Sequence, residues 1–321
     1  MRTLVLGGSR FVGLHLVYEL LRQGHEVTTF SRGRTVVDLP ADVRRLYGDR
    51  HNLESIHSAL GTTSFDAVFD TSGYTVDEVR PMMEVFRGRV ALYGFCSTTW
   101  VYARSDLAPV SEDFPVERGP GATDYVANKI RCEDMLLEAH DRDGFPASII
   151  RPSMIMGRDN RIYEREASFF TRLLLGRKIL MPSNGSALLH FSHVDDVAQA
   201  SVSLLGNERA LGQAYTISLS HAITIKGYLE TLGRVVGAEP NIVPISFELM
   251  EELDRPVFPF PYEWSTVYSI RKAAEQLGYT PRYDMESGLV GAYEWYKERD
   301  ILHAVPFDFR YEDEVLAMIG A

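Results

Sequence analysis

The feature that most restricts how this chain can fold is a junction near its start. The apolar run at residues 3–6 breaks straight into Gly7-Gly8-Ser9-Arg10-Phe11-Val12-Gly13. Beyond it Val12, Leu16, Val17, Leu20 and Leu21 recur at helical spacing, and Gly24 stands where a helix would stop. A strand, a glycine turn and a helix in that order predict the opening of a βαβ unit. Further short apolar runs at 26–30, 43–47, 67–70, 90–95 and 147–151 alternate with helix-period segments, which predicts a parallel sheet. Right-handed crossovers then leave an α/β doubly wound, Rossmann-type parallel sheet as the simplest topology.

After about residue 155 the pattern changes to longer connections and more aromatics. Residues 256–261 carry prolines that cannot lie inside a helix. We therefore expect a dinucleotide-binding domain over 1–155 plus parts of about 188–220. A smaller, mainly C-terminal α/β substrate lobe is expected over about 156–187 and 221–321.

The glycine turn carries weight because of where it lies. Glycines there allow a tight turn and bring the positive end of the following helix against a pyrophosphate. In the usual G-x-x-G-x-x-G spacing the middle glycine would fall at position 10, where this chain has Arg10, whose planar fork suits a phosphate. The second predicted strand ends in Phe30-Ser31-Arg32-Gly33-Arg34 rather than in an acid that would bond a ribose 2′-hydroxyl. Ser31, Arg32 and Arg34 thus favour a 2′-phosphate, and NADP(H) over NAD(H), which stays possible.

The fifth predicted strand runs into Cys96-Ser97-Thr98-Thr99-Trp100-Val101-Tyr102, and Tyr125-Val126-Ala127-Asn128-Lys129 opens a helical segment. Tyr125 and Lys129 share one helix face. A phenol near its reference pKa of about 10 is a poor base at neutral pH, but a nearby ammonium favours the phenolate. Thr98 would fix a substrate oxygen beside it. Each motif alone also fits a plain structural role, the Tyr/Lys pair on a solvated helix face and Arg32 and Arg34 in an exposed turn. Their order along one chain points to a site.

With these motifs the chain resembles the extended short-chain dehydrogenase/reductase family, also called the NAD-dependent epimerase/dehydratase family. Arg151-Pro152-Ser153-Met154-Ile155-Met156-Gly157, His193-Val194-Asp195-Asp196-Val197-Ala198 and Leu277-Gly278-Tyr279-Thr280-Pro281 look like its later signatures. The resemblance implies a catalytic triad of Thr98, Tyr125 and Lys129, with Lys129 also holding the nicotinamide ribose. It places Asp49 and Arg50 near the adenine, and Thr71, Ser72 and Gly73, with Pro152 and Ser153, along the cofactor cleft. His193, Asp195 and Asp196 are expected to act as a cap or hinge rather than in chemistry.

Two departures bear on the substrate. Four positions before His193, where uridine-diphosphate-sugar epimerases carry a diphosphate-binding arginine, stands Leu189, and no counterpart of their second arginine lies between 256 and 268. An aromatic, largely apolar pocket is expected there instead. Arg10 in its run, Phe169-Phe170 and Gly176-Arg177-Lys178 resemble a subgroup that includes isoflavone-type reductases and chloroplast stem-loop RNA-binding proteins. An enzyme moving hydride at a carbinol or ketone carbon of a sugar-like or nucleotide-sugar substrate is the leading expectation. Epimerisation or reduction is preferred to dehydration, because Thr99 and Trp100, not an acid/base pair, follow Thr98. An RNA-binding protein or a non-catalytic NADP(H) sensor on the same fold are the alternatives.

Composition narrows the partners. A net charge of −11 repels polyphosphate backbones, so a small-molecule substrate is expected rather than nucleic acid. Cys96 and Cys132, the two cysteines, have no metal-type or disulfide-framework spacing, so no metal is expected. With no run of membrane length and no signal-peptide pattern, a cytoplasmic protein is expected, and the resemblance adds a homodimer.

Overall fold

In the computed structural model, residues 1–35 and 37–321 are described. Contacts within the chain form two compact units. The first comprises Met1–Ile155, Val194–Ser218 and Tyr268–Pro281, and the second Met156–His193, Leu219–Val267 and Arg282–Ala321. Tyr268–Pro281, which the sequence places with the C-terminal lobe, falls in the first unit.

The first unit is built on β1 (Arg2–Leu6), α1 (Phe11–Arg22), β2 (Glu26–Ser31), β3 (Arg44–Tyr47), α2 (Leu53–Leu60), β4 (Ala67–Asp70), α3 (Val76–Phe86), β5 (Leu92–Cys96), α4 (Asp124–Asp143) and β6 (Ala147–Pro152). The strand Gln213–Ile217 completes a seven-stranded sheet, in which it is followed by β6, β5, β4, β1, β2 and β3. Every pairing is parallel. The order reverses between β1 and β4, so the expected doubly wound fold is present and a crevice opens at the C-terminal strand ends there. Strand positions follow the apolar runs to within two residues. β5 begins at Leu92 rather than Val90 and takes in Cys96, because Cys96 still pairs with Ile150 of β6.

Two apolar layers hold the helices on the sheet. On one side Leu14, Leu16, Val17 and Leu20 of α1 pack with Val5, Phe69 and Tyr215. On the other, Val79, Met82 and Met83 of α3 and Cys132 and Leu136 of α4 pack with Leu4, Leu6, Tyr93 and Phe95. A third cluster decides the pose of the first turns of α4: Val126 and Ile130 pack on Val101 of the short 3-10 turn Thr99–Val101. The helix opens where Thr123 Oγ1 accepts from Val126 N at 3.3 Å, and ends at Gly144 in the left-handed conformation.

In the second unit, strand Lys178–Pro182 pairs in parallel with Asn241–Ile245, and Leu188–Leu189 pairs antiparallel with Ile223–Thr224. Helices Glu166–Leu174, Ile225–Val236 and Met285–Glu298 surround an aromatic core. There Phe191 stacks on Tyr228 with ring centroids 5.2 Å apart, and Phe169 lies 5.7 Å from Phe258. Phe258 and Phe260 are thus buried core side chains. Their apolar area is used against Phe169 and Phe191. Leu189 is fully buried as well.

Candidate active site

The turn between β1 and α1 is shaped by what cannot fit in it. Gly7 has φ +94°, and a Cβ there would lie 2.6 Å from the Ser72 Cβ. A Cβ on Gly13 would lie 2.3 Å from the Gly7 carbonyl oxygen and 2.7 Å from Thr71 Oγ1, and one on Gly8 would strike Thr29. These glycines let the backbone of the turn, the start of α1 and the loop after β4 touch. Arg10 takes the N-cap place of α1 without a side-chain cap, and its first turn holds no acid. The leading N–H groups of Phe11, Val12 and Gly13 lie where intrahelical acceptors do not reach, an arrangement suited to an anion such as a pyrophosphate. Ser9 N closes the turn onto Gly7 O at 2.8 Å.

Arg10 Nε donates to Thr35 Oγ1 at 3.1 Å, which brings it to the loop after β2 that also carries Arg32 and Arg34, both exposed. Ser31 Oγ accepts from Gly33 N at 3.3 Å. Asp49 accepts from His51 N, and its own N–H donates to Ser55. Arg50, expected near the adenine, directs its guanidinium at Asp70, the last residue of β4.

The loop after β4 and the end of β5 converge on α4. Thr71 Oγ1 donates to the Leu6 carbonyl at 2.9 Å. Lys129 is buried, and its Nζ donates to the carbonyls of Gly73 at 2.8 Å and Cys96 at 2.7 Å. The ammonium also sits over two rings, 4.7 Å from the Phe95 centroid and 5.0 Å from that of Tyr74. Burial pushes its pKa below the usual lysine value. One turn earlier on the same helix Tyr125 is 43 % exposed, its ring 6.3 Å from that of Tyr74. Thr98 is buried at the head of the 3-10 turn, where its Oγ1 accepts from Trp100 N at 3.2 Å. At the end of β6, Pro152 and Ser153 are buried, and Ser153 N bonds the Ile217 carbonyl at 3.0 Å.

Sequence reasoning missed Tyr74, whose only signal was an aromatic residue directly after the Thr71-Ser72-Gly73 run. It also missed Glu133, one turn past Lys129, whose carboxylate takes a buried ion pair with Arg151 of β6 at 2.6 Å. The late His-Asp motif also makes contacts that its spacing did not suggest. Asp195 bonds His15 of α1 at 2.5 Å, while the His193 ring stacks on Tyr283 with centroids 3.6 Å apart.

Among the described residues no helix is long and apolar enough to cross a membrane, and no cluster of three or more metal-ligating side chains occurs. A family model described as the NAD dependent epimerase/dehydratase family matches residues 3–218. The chloroplast stem-loop binding protein of 41 kDa b from Arabidopsis thaliana is 31% identical over 306 residues, spanning 91% of this chain and 78% of that protein. A UDP-glucose 4-epimerase from Azospirillum brasilense is 26% identical over 344 residues, spanning 95% of this chain and 94% of its own. The solved UDP-glucose 4-epimerase of Thermotoga maritima, in complex with UDP-glucose, superposes with a TM-score of 0.78 at 19% identity, over 93% of this chain and 99% of that one. The sheet order, the glycine turn and these matches lead to one conclusion: the chain belongs to the NAD-dependent epimerase/dehydratase family.

Proposed function

We propose that this protein is a nicotinamide-dependent enzyme that acts at a carbinol or ketone carbon of a sugar-like substrate, as an epimerase or a reductase. The observation that carries this reading is the anchoring of Lys129. A buried ammonium with two carbonyl acceptors, at the C-terminal edge of a parallel sheet and one turn from an accessible phenol, is an arrangement for chemistry more than for packing.

Gly7, Gly8, Ser9, Arg10, Phe11, Val12 and Gly13 would hold the pyrophosphate, and Asp49, residues 71–73, Pro152 and Ser153 would line the cofactor cleft. The bound nicotinamide supplies the hydride donor or acceptor. The Tyr125 phenol gives or takes the proton of the reacting hydroxyl, helped by the positive charge of Lys129. Thr98 holds the same oxygen by donating from its hydroxyl. Thr99 is buried and Trp100 is apolar, so neither offers the carboxylic acid that elimination of water would call on, and dehydration is disfavoured. The second unit would supply the substrate contacts. Leu189 at its core and the aromatic 256–261 stretch argue against a diphosphate clamp there.

Arg10, Arg32 and Arg34 around the Thr35 contact support NADP(H) over NAD(H). Tyr125→Phe tests the mechanism. In single turnovers of reduced cofactor against a panel of ketones it should lower the rate by about 10²-fold or more while cofactor affinity holds; an unchanged rate refutes the assignment.

A second reading has one observation behind it, the 31% identity to a chloroplast stem-loop binding protein. A net charge of −11 opposes it. Stem-loop RNA binding that weakens steeply with salt would establish that reading.

A further inference from the structure

Asp70 is fully buried at the end of β4 and its carboxylate is saturated by four donors. Arg50 reaches it from the loop between β3 and α2, with Nη2 2.5 Å from Oδ2 and Nη1 3.2 Å from Oδ1. The Tyr93 hydroxyl of β5 donates to Oδ2 at 2.9 Å, and the Ser72 N–H donates to Oδ1 at 3.1 Å. Arg50 Nη1 also reaches Ser72 Oγ at 3.3 Å. Ser72 is therefore gripped through both its backbone and its hydroxyl by one ion pair.

What Ser72 touches gives the pair its meaning. Its Cβ lies against Gly7 so closely that no side chain fits on that glycine, and the next residue, Gly73, presents the carbonyl that holds Lys129. Gly73 is itself packed on the carboxylate, for a Cβ there would lie 2.9 Å from Asp70 Oδ2. One loop thus joins the phosphate turn, the β3–α2 loop and the lysine anchor.

We propose that Arg50 and Asp70 form a clamp that sets the Ser72–Gly73 peptide, and through the Gly73 carbonyl the position of the Lys129 ammonium, so that Arg50 is a positioning residue and not a nucleotide contact. The consequence for binding and turnover rests on the reading of Lys129 given above. The clamp itself is a statement about Lys129 and can be measured without it.

Replacing one member of a buried pair strands the other charge, whereas replacing the whole group by apolar side chains is often neutral for stability. The test compares the parent, Arg50→Met, and the triple variant Arg50→Met/Asp70→Leu/Tyr93→Phe, which strands no buried charge and frees only Ser72 from the clamp. Three quantities are read in each: Tm, the rate of Lys129 acetylation by an amine-reactive ester followed by peptide mass spectrometry, and affinity for NADP+ and NAD+. Lys178, Lys226, Lys272 and Lys297 serve as internal controls for labelling.

Arg50→Met should lower Tm, speed labelling of Lys129 about tenfold through local opening, and weaken dinucleotide binding about tenfold through misplacement of contacts. The triple variant should regain Tm yet keep the faster labelling and the weaker binding. If labelling and affinity return together with Tm, or if Arg50→Met leaves Lys129 as protected as in the parent, the clamp is refuted. A parent that binds neither dinucleotide, while Lys129 labelling follows the expected pattern, upholds the clamp and overturns the nicotinamide reading instead.

Discussion

A single carboxyl in the second unit gives the protein a testable dependence on pH. Glu166 opens the helix Glu166–Leu174 and is wholly buried. Asn160 Nδ2 donates to its Oε2 at 2.9 Å, while Oε1 has no hydrogen-bond partner among the described residues. The Tyr228 hydroxyl, buried in the same core, has none either. Burial without a cation bonded to it pushes Glu166 from the ordinary 4.5 up to about 7. The folded state therefore holds a proton that the unfolded chain has released above pH 4.5, so the contribution of this carboxyl to stability is greatest below that value and falls as the pH rises to about 7. At 1.36 kcal/mol per pH unit, the loss once the pH passes about 7 is about 3 kcal/mol.

Glu166→Gln, which cannot ionise, removes this dependence. Of the three tryptophans only Trp100 lies in the first unit, so in a Trp100→Phe background the fluorescence of Trp264 and Trp295 follows the second unit alone. Urea unfolding of that background with and without Glu166→Gln, between pH 5 and pH 8.5, should give a stability difference that moves in favour of the glutamine variant by about 3 kcal/mol across that range. A difference that stays constant with pH refutes the reasoning, because it would mean that Glu166 ionises in the folded state as it does in the unfolded one.

Other expectations follow from the first unit. Gly13→Ala would drive a Cβ to 2.3 Å from the Gly7 carbonyl, so it should cost about 1–3 kcal/mol in denaturant unfolding and abolish dinucleotide binding in calorimetry. Arg32→Ala combined with Arg34→Ala should weaken NADP+ about tenfold or more relative to NAD+; equal losses for the two dinucleotides would remove these arginines from cofactor selection. Glu133→Gln leaves Arg151 without its charged partner in a buried site and should lower stability by about 3 kcal/mol in urea.

Local rules were enough to read the frame of the first unit from the sequence. The apolar runs of β1, β4 and β6, the helical period of Leu16, Val17, Leu20 and Leu21, and the glycines at the turn each express a constraint felt within a few residues. Tyr125 and Lys129 were legible for the same reason, since a helix places residues one turn apart on one face whatever surrounds it. The partners of the charged groups were not legible. Arg50 and Asp70 stand on separate segments, and their ion pair depends on Asp70 being buried at the end of β4. His15 and Asp195 meet only because α1 and the helix Val194–Val202 pack on the same side of the sheet. Tyr268–Pro281 returns to the first unit, and Phe258 and Phe260 are buried, because burial is decided by every element that packs there. Periodicity and turn chemistry are properties of neighbouring residues and survive in a bare sequence; pairing and burial are properties of the folded whole, and only the tertiary structure could assign them.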